Sequence, residues 1–275
     1  MSSKPRRPNP LVPRHDPAIA LFLEDIYAAC NRGARLNRDP LAIVKEYALP
    51  ADRETVGLIA STLAFGGVDL IMRALRSALL PLGAHPAEGL ASMSDQAIVE
   101  AYSSYRYRYC APKDMAALLI GIKRAREEAT SLEAFFLRGD AGGDDIVAAT
   151  GSFSRRLAAL GRGIRPNLLP DTARGSACKR LFLYLRWMVR SDDVDPGGWK
   201  GIDPARLIVP LDTHMVRVCA FRLGFIERPV ADLRRAIAAT AGFRLYSPAD
   251  PVKYDFALTR PGIDPEAGDE RFACP

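Results

Sequence analysis

Apolar residues recur along this chain at helical spacing, and almost nowhere with the strict alternation of a half-buried strand. In residues 17–32, Ile19, Leu21, Phe22, Ile26 and Ala29 fall on one stripe. In 114–128, Met115, Leu118, Leu119 and Ile122 do the same. Asp39-Pro40 opens a segment over 39–47, and Asp52 caps one over 52–65 that Gly66-Gly67 breaks. Further helical patterns cover 68–80, 131–138, 144–160, 177–190 with Ser176 as cap, 213–223, 230–241 and 250–258. Connections are short and no internal repeat is visible. The pattern predicts an all-α fold.

The 275 residues suffice for one large helical domain or two small ones. No apolar run approaches the roughly 20 residues of a membrane helix, so no membrane span is expected. The start, Met1-Ser2-Ser3-Lys4-Pro5-Arg6-Arg7-Pro8, is basic and proline-rich with no apolar core behind it. Residues 1–16 read as a flexible basic arm rather than a secretion signal. Cys30, Cys110, Cys178, Cys219 and Cys274 form no CxxC pair, which excludes a disulfide scaffold and favours a reduced, cytoplasmic protein. The net charge of +6 suits a polyanionic partner without proving one.

That charge is not spread evenly. Residues 155–190 hold Arg155, Arg156, Arg162, Arg165, Arg174, Lys179, Arg180, Arg186 and Arg190 against Asp171 alone. A charge run is usually a solvated face. Here apolar helical residues interrupt the run, and Gly161, Gly163 and Gly175 punctuate it, which favours contact with a phosphate backbone.

The string Val209-Pro210-Leu211-Asp212-Thr213-His214-Met215-Val216-Arg217-Val218 sets an acid between an apolar lead-in and a helix. Pro210 ends one segment, Met215, Val216, Cys219 and Leu223 recur at helical spacing, and Gly224 supplies a stop. Taken alone, Asp212 would be a helix N-cap and nothing more. The whole string, with the later Arg222-Leu223-Gly224-Phe225, resembles the HhH-GPD DNA glycosylases, the helical superfamily of endonuclease III. Their catalytic aspartate sits in a Val-Asp-Thr-His type sequence just before such a helix. The resemblance covers residues 176–224 and, more loosely, 52–80.

It implies two helical lobes with the active site in the cleft between them. Residues 17–50 and 205–275 would form a terminal lobe, and 51–204 a central one. The implied activity is excision of a damaged or modified base from duplex DNA. The base must leave the stack, and Asp212 would stabilise the oxocarbenium-like sugar and either activate water or deprotonate a lysine. No cofactor is expected. Several relatives carry a C-terminal four-cysteine iron–sulfur cluster. This C-terminus offers only Cys274, so neither a cluster nor a structural zinc is expected.

The Leu-Pro-Gly-Val-Gly type hairpin of these enzymes is absent. Its place is taken by Leu169-Pro170-Asp171-Thr172-Ala173-Arg174-Gly175-Ser176-Ala177-Cys178-Lys179-Arg180, ahead of an apolar stretch over 181–189 that reads as a buried helix. Lys179 falls in the first turn. There the helix dipole and Arg180 oppose its protonation and favour the neutral amine a nucleophile needs. Its 33-residue separation from Asp212 is closer to the archaeal 8-oxoguanine glycosylase branch than to the hairpin enzymes. If Lys179 attacks C1′, a Schiff base forms and β-elimination can cut the strand. If it only binds a phosphate, the product is an abasic site. The resemblance further implies DNA contacts by Arg174, Gly175, Ser176, Arg180 and Arg186, and by Thr213, His214 and Arg217 beyond Asp212.

Phe65, Trp187 and Trp199 are the candidates for base pocket or wedge. Phe65 lies in Ala64-Phe65-Gly66-Gly67, which replaces the polar residues of the strand-separating loop. Trp199, beside Gly197-Gly198, could stack on a base or simply be packed. Tyr105-Arg106-Tyr107-Arg108-Tyr109 alternates rings and cations, as a nucleic-acid contact or a half-buried extended segment would. Asp192, Asp193 and Asp195 lack the glycine and distal glutamate of a calcium loop and read as a polar turn, so no metal site is expected. A monomer acting on double-stranded DNA in the nucleoid is the resulting expectation, in base excision repair or in defence against phage DNA with modified bases. A non-catalytic DNA-binding helical protein and an RNA-binding helical module are the alternatives.

Overall fold

The computed structural model describes residues 14–263. Among them the regular structure is helical, and extended pairing is limited to three isolated bridges. None of these helices is long and apolar enough to cross a membrane. Most of the basic arm expected over 1–16, and Cys274, lie outside the described residues.

Local chemistry sets the helix boundaries. Asp16 caps α1 (Pro17–Cys30), accepting from the Ala18 amide at 2.8 Å, and Asp39 caps α2 (Pro40–Lys45) in the same way. Pro50 opens α3 (Pro50–Leu63), which stops ahead of Gly66, whose φ of +107° suits glycine. α4 (Val68–Leu79) follows. Then come α5 (Pro86–Ser92) and α6 (Asp95–Ala101), two helices the sequence pattern does not predict. Each has seven residues and few buried apolar positions, too short to display a period. The remaining helices are α7 (Pro112–Ala129), α8 (Leu132–Leu137), α9 (Val147–Gly161), α10 (Lys179–Val189), α11 (Thr213–Arg217), α12 (Leu233–Arg244) and α13 (Asp255–Ile263). A π turn, Val218–Arg222, extends α11.

α3 is the central helix, with every residue from Thr55 to Leu63 buried. α10 packs along it, and α2 and α5 cover other sides. α7 and α9 form a second tight pair. Gly161 permits their approach, since a Cβ there would lie 2.4 Å from the Ala117 carbonyl oxygen. α13 packs against α1 and α11, so the first and last described helices meet.

Two expectations need correction. On α1 the inward residues are Leu23, Ile26 and Cys30, whereas Leu21 is 66% exposed, because the face turned to the core is set by docking onto α13. At α10 the cap is not Ser176. The helix starts at Lys179, and Cys178 before it sits in the left-handed region at φ +45°. Ser176 instead pairs with Asp232, and the Gly175 carbonyl accepts from the Leu233 amide at 3.0 Å, which pins this segment to the start of α12.

Candidate active site

A cavity of about 460 Å³ opens where the C-terminal end of α3, one face of α10, the lead-in to α11 and α13 converge. Its size lies within the roughly 300–1,000 Å³ of small-molecule sites. Phe65, Leu183, Trp187 and Phe256 supply apolar surface. Lys179, Asp212, His214, Asp255 and Arg260 supply charge or hydrogen-bonding groups. Lys179 and Asp212, which are distant in sequence, therefore line one cavity.

Asp212 is the N-cap of α11. Its Oδ1 accepts from the Met215 amide at 2.8 Å, which fixes the carboxyl and leaves Oδ2 without a hydrogen bond from any described residue. Lys179 opens α10 immediately after the left-handed Cys178. A non-glycine residue in that region costs roughly 1–2 kcal/mol, so the turn aiming Lys179 is held against a local preference. Thr213 is exposed and His214 half-buried at the cavity mouth. Arg217, Arg174, Gly175 and Ser176 are exposed.

Beneath the cavity lies a cluster of paired charges. Arg186 is 3% exposed, and all its nitrogens are engaged: Nε and Nη2 donate to Asp195 Oδ1 at 3.1 and 2.8 Å, and Nη1 donates to Asp255 Oδ2. Arg190 is bound in turn by Asp192, Asp195 and Asp250. Burial pulls the Arg186 guanidinium down, but Asp195 and Asp255 more than offset it and hold it charged. Burial pushes the Asp255 carboxyl up to about 6, Arg186 works the other way, and nearby Asp212 adds to the rise. Asp255 has no sequence motif. Nothing local in the sequence marks a buried aspartate at the start of α13. The only available signal was that a buried Arg186 requires distant carboxylates.

Several expected roles are corrected by this arrangement. Arg186 does not reach a phosphate, because it is buried and each of its nitrogens is engaged inside the protein. Arg180 is likewise internal. It donates to the Thr62 carbonyl at 2.6 Å and to the Asn167 carbonyl, and burial lowers its pKa. The basic run is largely neutralised in place: Arg155 pairs with Asp171, Arg156 with Glu128 and Arg165 with Asp114. Asp195 belongs to a buried ionic cluster rather than a polar turn, being 0% exposed.

Trp199 lies outside the cavity. Its ring packs against Phe136 and Tyr184 at 5.7 and 5.3 Å, and Nε1 donates to Glu54 at 3.3 Å. Trp187 does line the cavity. Phe65 lines it too but does not stand free: Tyr109 stacks on it at 4.2 Å, Tyr107 packs beside it and Arg180 lies 5.1 Å over the ring. The alternation of Tyr105 to Tyr109 is realised as buried Tyr105 and Tyr107 with exposed Arg106 and Arg108, closing in a turn at Cys110.

The all-helical fold and its charged, aromatic-walled cavity define a class of architecture. The chain itself belongs to the DUF2400 family, proteins of unknown function, whose family model matches residues 39–264. No curated protein and no solved structure matches it.

Proposed function

We propose that the protein is a DNA glycosylase of the HhH-GPD type, which flips a damaged or modified base out of duplex DNA and cleaves its bond to the sugar. The observation that carries this reading is that Asp212 and Lys179 line one cavity large enough for a small molecule. In this reading the helices group into two lobes, 17–50 with 205–275 and 51–204. The cavity walls support that division: Asp212, Asp255 and Arg260 come from the first set, and Phe65, Lys179, Leu183 and Trp187 from the second.

The chemistry follows from charge. Breaking a glycosidic bond builds positive charge on the sugar, and a fixed carboxylate beside C1′ stabilises it. Asp212, anchored through Oδ1, is the carboxylate for that task, and its free Oδ2 can take a proton from water or from Lys179. Aromatic walls at Trp187, Phe65 and Phe256 offer stacking to an extruded base. Arg174 and Arg217, both exposed, are the arginines for contact with the phosphate backbone.

The test is base release by the purified protein from duplexes carrying oxidised, alkylated, deaminated or hypermodified bases. Release from at least one duplex, lost in Asp212→Asn, is expected. Preference for duplex DNA over RNA in competition separates this reading from an RNA-binding module. Failure to release any base across the panel overturns it.

A further inference from the structure

Asp255 enters the cavity from α13, and two features set it apart from Asp192, Asp195 and Asp250, the other carboxylates of the buried cluster. First, it is held by one oxygen only. Oδ2 accepts from Arg186 Nη1, and Oδ1 has no hydrogen bond from any described residue. Second, it shares the cavity with Asp212, which is also held by one oxygen. Two carboxyls, each anchored on one side and open on the other, therefore meet the same space. Like-charged groups so placed do not readily ionise together, and the arrangement divides them into an acid and a base.

We propose that Asp255 is a second catalytic residue, the general acid that gives its Oδ1 proton to the departing base while Asp212 accepts the proton of the attacking water. This rests on the glycosylase reading above. In the step, the C1′–N bond breaks and its electron pair leaves with the base. The Asp255 proton moves to the base nitrogen. Water bonds to C1′ through oxygen and loses a proton to Asp212. Asp255 ends ionised and Asp212 ends protonated, and exchange with solvent restores both. Arg186 assigns the atoms, because its guanidinium occupies Oδ2 and so leaves Oδ1 as the oxygen that carries the proton.

The surroundings account for the proton. Asp255 is 5% exposed, and the charged groups bearing on it are Arg186 from α10, Asp195 from the segment after α10, Asp212 before α11 and the Cys219 thiol in the π turn. On its own helix Arg260 is committed to Asp39 at 2.8 Å. From α1, Glu24 is occupied by Lys253 and Tyr254. Burial outweighs the single arginine, and the carboxyl titrates near 6 rather than at its ordinary 3.8.

The test is base release between pH 5 and 8 by the full-length protein, from duplexes with a neutral target base and from duplexes with an N-alkylated base that already carries positive charge. A cationic base needs no proton to depart. For neutral bases the wild-type rate is expected to fall about tenfold per pH unit above roughly 6, and for cationic bases to stay level there. Asp255→Asn is expected to lose on the order of 10²- to 10⁴-fold on neutral bases with that limb abolished, and to keep most of its rate on cationic ones. The wild-type comparison stands even if the variant does not fold. Equal pH profiles for the two substrate types, or equal losses in the variant, would overturn the proposal while leaving the glycosylase reading intact. Absence of any base release by the wild type at every pH would overturn both.

Discussion

The two ends of α10 bring charge to the same cavity and are built on opposite principles. At its first residue, Lys179 lines the cavity and makes no ion pair with a described residue. Two turns later, Arg186 is buried with every nitrogen bound to a carboxylate. Burying a charge is tolerable only when it is paired and hydrogen-bonded, so Arg186 belongs to the scaffold that holds the site. A charge without a partner at a cavity wall is available to a ligand. The comparison teaches that the position of a basic residue on a helix says little about its role until its partners are known.

The difference is sharpest at Asp212. On a base that the wild type releases, Asp212→Asn should slow excision on the order of 10²- to 10⁴-fold. Asparagine caps a helix about as well, so stability in urea should change by less than about 0.5 kcal/mol. Normal turnover with a large loss of stability would move Asp212 into the scaffold. The reverse is expected of Arg186→Met. It leaves Asp255 without a partner in the interior and Asp195 with Arg190 alone, and should cost about 3–5 kcal/mol in urea unfolding. Adding Asp255→Asn should recover part of that loss, and no recovery would break the assignment of the pair.

Arg180 and Arg174 repeat the contrast on a smaller scale. Arg180→Ala removes a charged donor from the Thr62 and Asn167 carbonyls and should destabilise by about 1–3 kcal/mol. Arg174→Ala should leave stability within about 0.5 kcal/mol. If Arg174 meets a phosphate, the log–log salt dependence of binding to duplex DNA should flatten by about one unit, and an unchanged slope would remove it from the interface. The smallest effect on stability is expected for Lys179→Gln, again within about 0.5 kcal/mol. Its readout is chemical: if Lys179 rather than water attacks C1′, borohydride should trap a covalent adduct with the wild type during turnover and none with the variant. Base release without any adduct would leave water as the nucleophile.

The sequence by itself determined most of the helices, the boundary at Asp212 and the place of Lys179 in a first turn. Each of these depends on residues within a few positions of one another: a 3.6-residue period, a capping side chain, a proline or a glycine pair. It did not reveal α5 and α6, whose seven residues carry too little pattern, nor Cys178 in place of Ser176 ahead of α10, where docking on α12 overrides the usual cap. Only the tertiary structure decided which cations are neutralised. Arg165 finds Asp114 across 51 positions and Arg186 finds Asp255 across 69. The same folding brought Asp255 beside Asp212 in one cavity. Ion pairing and burial depend on distance in space, and the order of residues along a chain does not encode that distance until the helices have packed.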